Sequence, residues 1–264
     1  MRDEYETLLL ERADGIAVVT LNRPPVNAVS LSMQLELREV FESFAEDREV
    51  GAVVLAAAGD RAFCGGIDLK ELPGTGSGED VPLATRLNPG REWRAAQSAI
   101  RHCAVPVIAA VERPAIGAGF GLIGVSDLII ASETASFALT EINVGLLGGA
   151  SKALHLLGSH KARMMMFTGR AQSAQEMYRL GAVEEVVPAG EALAAASVLA
   201  REIASKSPIA IRLAKESIVR IETDLMEDQY RTEWDYTNRL GRFEDSAEAM
   251  NAFLEKRKAE WAWK

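Results

Sequence analysis

The chain has 264 residues and sets Lys+Arg 29 against Asp+Glu 38, a formal net charge of −9. That balance argues against a general nucleic-acid binder, since no cationic surplus exists to displace counterions from phosphates. The two cysteines, Cys64 and Cys103, exclude a disulfide scaffold and a Cys-type zinc site, and three histidines are too few for a His-rich one.

In chain order, Tyr5–Glu11 and Ile16–Leu21 are apolar-rich runs separated by the turn signal Ala13-Asp14-Gly15, which predicts a hairpin. Asn22-Arg23-Pro24-Pro25 ends the second strand, because proline cannot donate to the ladder. Ser32 to about Asp47 reads as an amphipathic helix presenting Met33, Leu35, Leu37, Val40, Phe41 and Phe44. Gly51–Ala56 has the continuous apolar character of a strand covered on both faces. Residues 72–90, rich in Gly, Pro, Ser and Thr, predict a loop or lid, with a plain surface connection as the alternative. A helix at 91–102, a strand at 105–111, a strand at 127–131 and a last strand at 183–187 complete an alternating α/β pattern. Beyond Glu191 the pattern is almost wholly helical, with Pro208 opening one helix and Glu244 to about Lys258 forming another. Phe253, Leu254, Trp261 and Trp263 load the tail with large apolar groups, which predicts docking.

Met1–Glu6 carries three acids where a signal peptide would begin its apolar stretch. Pro114–Ser126 is uncharged but far short of the about 20 apolar residues that a membrane span needs. A cytoplasmic enzyme with no membrane association is the expectation.

Two glycine-rich loops each follow a predicted strand: Ala62-Phe63-Cys64-Gly65-Gly66-Ile67-Asp68-Leu69-Lys70 and Pro114-Ala115-Ile116-Gly117-Ala118-Gly119-Phe120-Gly121. Amides at a helix start point outward, and two of them converging from different loops would form an oxyanion hole. Each loop alone also reads as a tight turn beneath packed helices. Gly119-Phe120-Gly121-Leu122-Ile123-Gly124 satisfies the dinucleotide pattern G-x-G-x-x-G. Seven residues separate its first glycine from Val111, however, whereas the fingerprint needs that glycine at the strand end.

Asn22-Arg23-Pro24, Asn27-Ala28, Phe63–Glu71, Pro106–Val111, Ser126–Ala131, Phe137–Glu141 and Phe253–Lys258 together resemble, in order and spacing, the crotonase superfamily of enoyl-CoA hydratases and isomerases. The resemblance implies an α/β fold: a crotonase-like spiral of ββα units over residues 1–195 carrying an acyl-CoA site, then a helical C-terminal trimerisation region over 196–264. It implies a homotrimer or a hexamer of paired trimers, with coenzyme A as substrate carrier and no other cofactor or metal. The backbone amides of Ile67 and Ala118 would grip the thioester oxygen. Pro25, Val26, Asn27 and Ala28, with the backbone of Cys64, Gly65, Gly66 and Asp68, would cradle the carrier. Lys70 and Lys256 match positions that approach CoA phosphates, and each also reads as a solvated surface lysine.

Glu141 is the acid/base candidate. From its surroundings alone it reads more readily as a structural or surface acid; the resemblance makes it catalytic. Hydratases of this family carry a second glutamate where this chain has Gly121, and Glu112 and Arg113 replace the usual asparagine and glycine after the central strand. Water addition needs two groups, one to deprotonate water and one to deliver the proton, so ordinary hydration is not expected. Proton-shuttling isomerisation by one carboxylate leads. C–C or thioester hydrolysis, hydration through a substitute residue from 72–100, and a catalytically silent acyl-CoA-binding subunit remain alternatives.

Overall fold

The computed structural model describes residues 4–71, 88, 90–222 and 234–262. The loop expected at 72–90 lies almost wholly outside them, as does Trp263. A six-stranded sheet runs in the order β1-β2-β3-β4-β6-β9. Its strands are β1 (Leu8–Ala13), β2 (Ile16–Leu21), β3 (Ala52–Ala57), β4 (Val107–Val111), β6 (Leu128–Ser132) and β9 (Glu185–Val187). Only the β1–β2 hairpin is antiparallel; Asp14 and Gly15 take positive φ at its two-residue turn. The other four pairings are parallel. A three-stranded sheet, β5 (Ala115–Ile116), β7 (Ser136–Ala138) and β8 (Gln172–Ser173), stands beside it. None of its strands was expected, because two or three residues are too few to show a period-2 pattern.

Alternation along each strand sorts the core into two layers. Val53 and Leu55, with Val107, Ala109 and Val111, join Met33, Leu37, Val40 and Phe41 of α1 (Leu31–Ser43) and Trp93, Ala96 and Ile100 of α2 (Arg91–Arg101). Ala52, Val54, Ala56, Ile108 and Ala110 face the opposite way onto Ala192, Ala196 and Ala200 of α6 (Ala192–Ala204). Three alanines at i, i+4 spacing let this helix lie close to the sheet. A Cβ at Gly51 would come within 2.9 Å of the Ala204 Cα. The division expected at 195/196 thus falls inside α6, a helix that is itself one layer of the core.

Along the chain, α3 (Ala118–Ile123) follows β5, α4 (Ala150–Thr168, broken at Gly158) precedes β8, and α5 (Ala174–Arg179) precedes β9. After α6 come α7 (Pro208–Ile221), a helical segment at 234–240, and α8 (Glu244–Glu255). Glu112, foreign to the family pattern, acts on α6: its carboxylate accepts the amides of Gly190 (2.6 Å) and Ala192 (3.2 Å), where a helix favours negative charge. Asp127 accepts the Val107 amide (2.6 Å) and the ammonium of Lys215 (2.7 Å), so a buried lysine pins α7 to the sheet. The outer side of α7 leaves Ile209, Leu213, Ile218 and Ile221 exposed. Phe253, Leu254 and Trp261, expected to dock, are likewise exposed in the single chain.

Candidate active site

The glycine-rich loop at 62–71 is held between two neighbours. The Val29 amide donates to the Gly66 carbonyl (2.8 Å) and the Asp68 amide to the Val29 carbonyl (2.9 Å). In a parallel bridge of this kind the residue between the two partners, Ile67, turns its own amide to the other side. On the far side, the Phe63 amide donates to Pro114 (3.0 Å) and the Ile116 amide to Cys64 (2.9 Å), which draws the second glycine loop alongside. Contact is close: a Cβ on Gly117 would lie 3.7 Å from the Gly66 Cα.

Gly117 caps α3 with φ +55 and ψ −111, a conformation that glycine alone adopts readily. Ala118 is the first helical residue, and the first intrahelical bond is Gly121 N–H to Gly117 C=O at 3.0 Å. The amide of Ala118 is therefore one of the donors that a helix cannot satisfy from within. Two outward-directed amides, Ile67 and Ala118, follow two glycines that lie against each other.

Glu141 opens a 3-10 turn (Glu141–Val144) after the buried run Phe137-Ala138-Leu139. Its Oε1 lies 3.1 Å from where a Cβ of Gly117 would be and 3.4 Å from that of Gly148. The carboxylate thus sits between two glycines, one of them the residue that precedes Ala118, with Oε2 out of solvent. The turn is braced from the far end of the chain. Ser246 Oγ of α8 donates to the Gly145 carbonyl (2.8 Å), and Gly145, at φ +69, leaves no space for a side chain against Ser246.

The carrier-site residues separate into two groups. Pro25–Ala28 and Cys64–Asp68 are brought together: the Gly65 amide donates to Val26 (2.8 Å), and Arg23 reaches both Asp68 (2.7 Å) and the Ala28 carbonyl (3.0 Å). Burial pushes the Asp68 carboxyl up, but the Arg23 hydrogen bond, the Lys70 amide and both cations outweigh it, leaving the group below its usual range. Asn27, at φ +52 and buried, spends its amide on Arg23 N, Ala58 O and Ala62 O, so it shapes the turn and offers no side chain to a ligand. Burial lifts the Cys64 thiol to about 12, against a smaller lowering from a backbone hydrogen bond with Gly66, which leaves it a poor nucleophile. Lys70 is exposed on the 3-10 turn Leu69–Glu71. Lys256 caps α8 and is exposed, with no hydrogen bond or ion pair to these loops among the described residues.

At Gly121 the structure adds what the sequence reading missed. A Cβ there would meet the Trp93 ring at 3.2 Å and Gln97 Oε1 at 3.7 Å. The position where hydratases carry their second glutamate therefore faces an indole and a carboxamide from α2. Gln97 is buried, and neither atom of its amide has a hydrogen-bond partner among the described residues. Leaving a buried amide unsatisfied costs about 1–3 kcal/mol. The signal was present: Trp93 and Gln97 stand at i and i+4, so a polar group interrupts the buried face of Trp93, Ala96 and Ile100.

Gly119 holds the loops in register, because a Cβ on it would lie 2.5 Å from the Cys64 carbonyl oxygen. Gly119→Ala should cost about 1–3 kcal/mol by overpacking. A thermal melt should show a Tm lower by several degrees, with activity falling further than stability as the two amides spread.

Residues 11–264 match the family model described as Enoyl-CoA hydratase/isomerase. The chain is 36% identical over 242 residues to a (7aS)-7a-methyl-1,5-dioxo-2,3,5,6,7,7a-hexahydro-1H-indene-carboxyl-CoA hydrolase of Mycobacterium tuberculosis, covering 92% of this chain and 96% of that one. It is 38% identical over 261 residues to a probable enoyl-CoA hydratase of Rhizobium meliloti, covering 97% and 98%. The crystal structure of carnitinyl-CoA hydratase from Mycobacterium avium superposes with a TM-score of 0.85 at 32% identity, over 99% of this chain and 100% of that one. The adjacent glycine loops, the half-buried glutamate and these likenesses lead to one conclusion: the chain belongs to the crotonase superfamily, as an acyl-CoA enzyme of the enoyl-CoA hydratase/isomerase type.

Proposed function

We propose that this enzyme forms and reprotonates the enolate of an acyl-CoA thioester with Glu141 as its single acid/base, and that isomerisation of a 3-enoyl to a 2-enoyl thioester is its reaction. The supporting observation is the placement of the Glu141 carboxylate between Gly117 and Gly148, while Trp93 and Gln97 face Gly121. The carboxylate takes a proton from C2. The electron pair moves onto the thioester oxygen, between the amides of Ile67 and Ala118. The dienolate then collapses as the same carboxyl returns the proton to C4. Each amide contributes about 2.7–4 kcal/mol to the charged state. Pro25–Ala28 and the Cys64–Asp68 backbone cradle the carrier, with Lys70 and Lys256 as cations for its phosphates. The exposed apolar side of α7 supports assembly into a trimer or hexamer.

A second reading has its own support. The relative from Mycobacterium tuberculosis is named as a hydrolase of a dioxo-bearing CoA thioester, and Gln97 offers a polar contact that a plain hydrocarbon chain could not use. Hydrolysis of a C–C bond in an oxygenated acyl-CoA uses the same oxyanion hole.

The test is the ratio of hydration to isomerisation on matched short-chain thioesters. Crotonyl-CoA should be hydrated slowly or undetectably, whereas 3-butenoyl-CoA should convert to crotonyl-CoA. Fast hydration, with kcat well above about 10 s⁻¹, would overturn the single-acid mechanism. Conversion of neither, with release of a C–C cleavage product from a β-dicarbonyl thioester, would favour the hydrolase. Gly121→Glu should not introduce efficient hydration, because the new side chain meets the Trp93 ring at its first carbon.

A further inference from the structure

We propose that Gln97 is a substrate-positioning residue whose carboxamide hydrogen-bonds an oxygen on the third or fourth carbon of the acyl chain, so that the preferred substrates are oxo- or hydroxyacyl thioesters. The inference rests on the acyl-CoA reading above; because an oxygen on those carbons takes the place of the 3-enoyl double bond, it favours the second reading, cleavage of an oxygenated acyl thioester, over isomerisation.

Three observations carry it. Gln97 is 5% exposed, and both of its amide atoms are buried without a partner among the described residues. It stands over Gly121, its Oε1 3.7 Å from where a Cβ would be, beside the Trp93 ring, which that Cβ would meet at 3.2 Å. Gly121 follows Ala118 by three residues, a rise of about 4.5 Å along the helix. A thioester oxygen on the Ala118 amide places the third and fourth carbons of its chain about 3–5 Å away. The carboxamide thus lies one helical turn from the Ala118 amide, a separation comparable to that span, and the Glu141 carboxylate lies beside Gly117 at the start of the same turn.

The chemistry of the group narrows its role. A carboxamide supplies one acceptor and two donor hydrogens, and it neither gains nor loses a proton near neutrality. Gln97 cannot replace the missing glutamate as an acid. It can fix an oxygen: a ketone through Nε2, or a hydroxyl through both ends. A hydrocarbon chain at this point would leave the amide buried and unsatisfied, a penalty that discriminates strongly against the group lacking the oxygen. Trp93 beside it (7% exposed) supplies the apolar wall that keeps bulk water from competing.

The experiment measures dissociation constants by titration calorimetry for the whole protein with acetoacetyl-, 3-hydroxybutyryl- and 4-oxopentanoyl-CoA, against butyryl- and pentanoyl-CoA. Gln97→Leu and Gln97→Met are measured in parallel, each with a ligand-free thermal melt. At least one oxygenated thioester should bind the native protein at least about tenfold tighter than its hydrocarbon counterpart. Both variants should bring that pair within about twofold. A glutamine that merely supports the fold would lose Tm on replacement. A positioning glutamine should give variants with Tm unchanged or raised by about 2–4 °C, since an unsatisfied amide has been removed from the interior. Native preference below about threefold, a preference retained in the variants, or a Tm lowered by more than about 5 °C in both would each overturn the assignment. Equal binding of all five thioesters overturns Gln97 alone; binding of none overturns the acyl-CoA reading and this inference with it.

Discussion

Glu141→Gln should lower turnover by at least about a hundredfold while fold and CoA affinity stay nearly intact. Glutamine has the shape of glutamate, so the packing of its carboxyl end between Gly117 and Gly148 is retained, as is the brace from Ser246 to Gly145. What disappears is the ability to accept and return a proton. Exchange of the α-hydrogen of an acyl-CoA in deuterated water, read by mass spectrometry, isolates that step from product release. Full exchange in the variant would remove Glu141 from the mechanism.

Ala118→Pro should lower kcat by about 10²–10³, the cost of deleting one oxyanion donor, whereas Ala118→Gly should be mild. The position makes the comparison clean. Ala118 is the first residue of α3, where proline is tolerated because its amide has no helical partner to lose. The substitution thus removes a donor from the site and no bond from the helix. Equal damage from proline and glycine, with circular dichroism and melting unchanged, would assign Ala118 to packing instead. The KM for the thioester should move less than kcat, since the amide is worth most when charge has developed on the oxygen.

Strands β2, β3, β4 and β6 of the large sheet were legible because five or six mostly apolar residues stood together, helped by plain punctuation: Asp14-Gly15 for the hairpin, Pro24-Pro25 after β2. The glycine loops and Glu141 were legible as a set, through resemblance; residue by residue, each also fitted an ordinary turn or a surface acid. The small sheet was not legible. Ala115–Ile116 and Gln172–Ser173 pair only because the loops around them are already in place. The place of α6 was misread for a different reason. Its core face is alanine, which marks close approach to a sheet no better than it marks a general helix former. Gln97 was invisible as a functional residue because its meaning depends on what α3 puts opposite it, a relation across 24 positions of sequence.

Ser246 and Gly145 have a consequence for the life history of the molecule. Strands β1 to β9 and α6 are complete by residue 204, and chains fold from the N-terminus as they are made. A nascent chain at that stage owns both glycine loops with the amides of Ile67 and Ala118, yet the turn bearing Glu141 still lacks its buttress, which arrives with α8 some forty residues later. The fold is thus assembled well before the reactive centre is finished. Fraying of the last helix in the mature enzyme reverses that order: the carboxylate loosens first, while the parallel sheet beneath it stays closed.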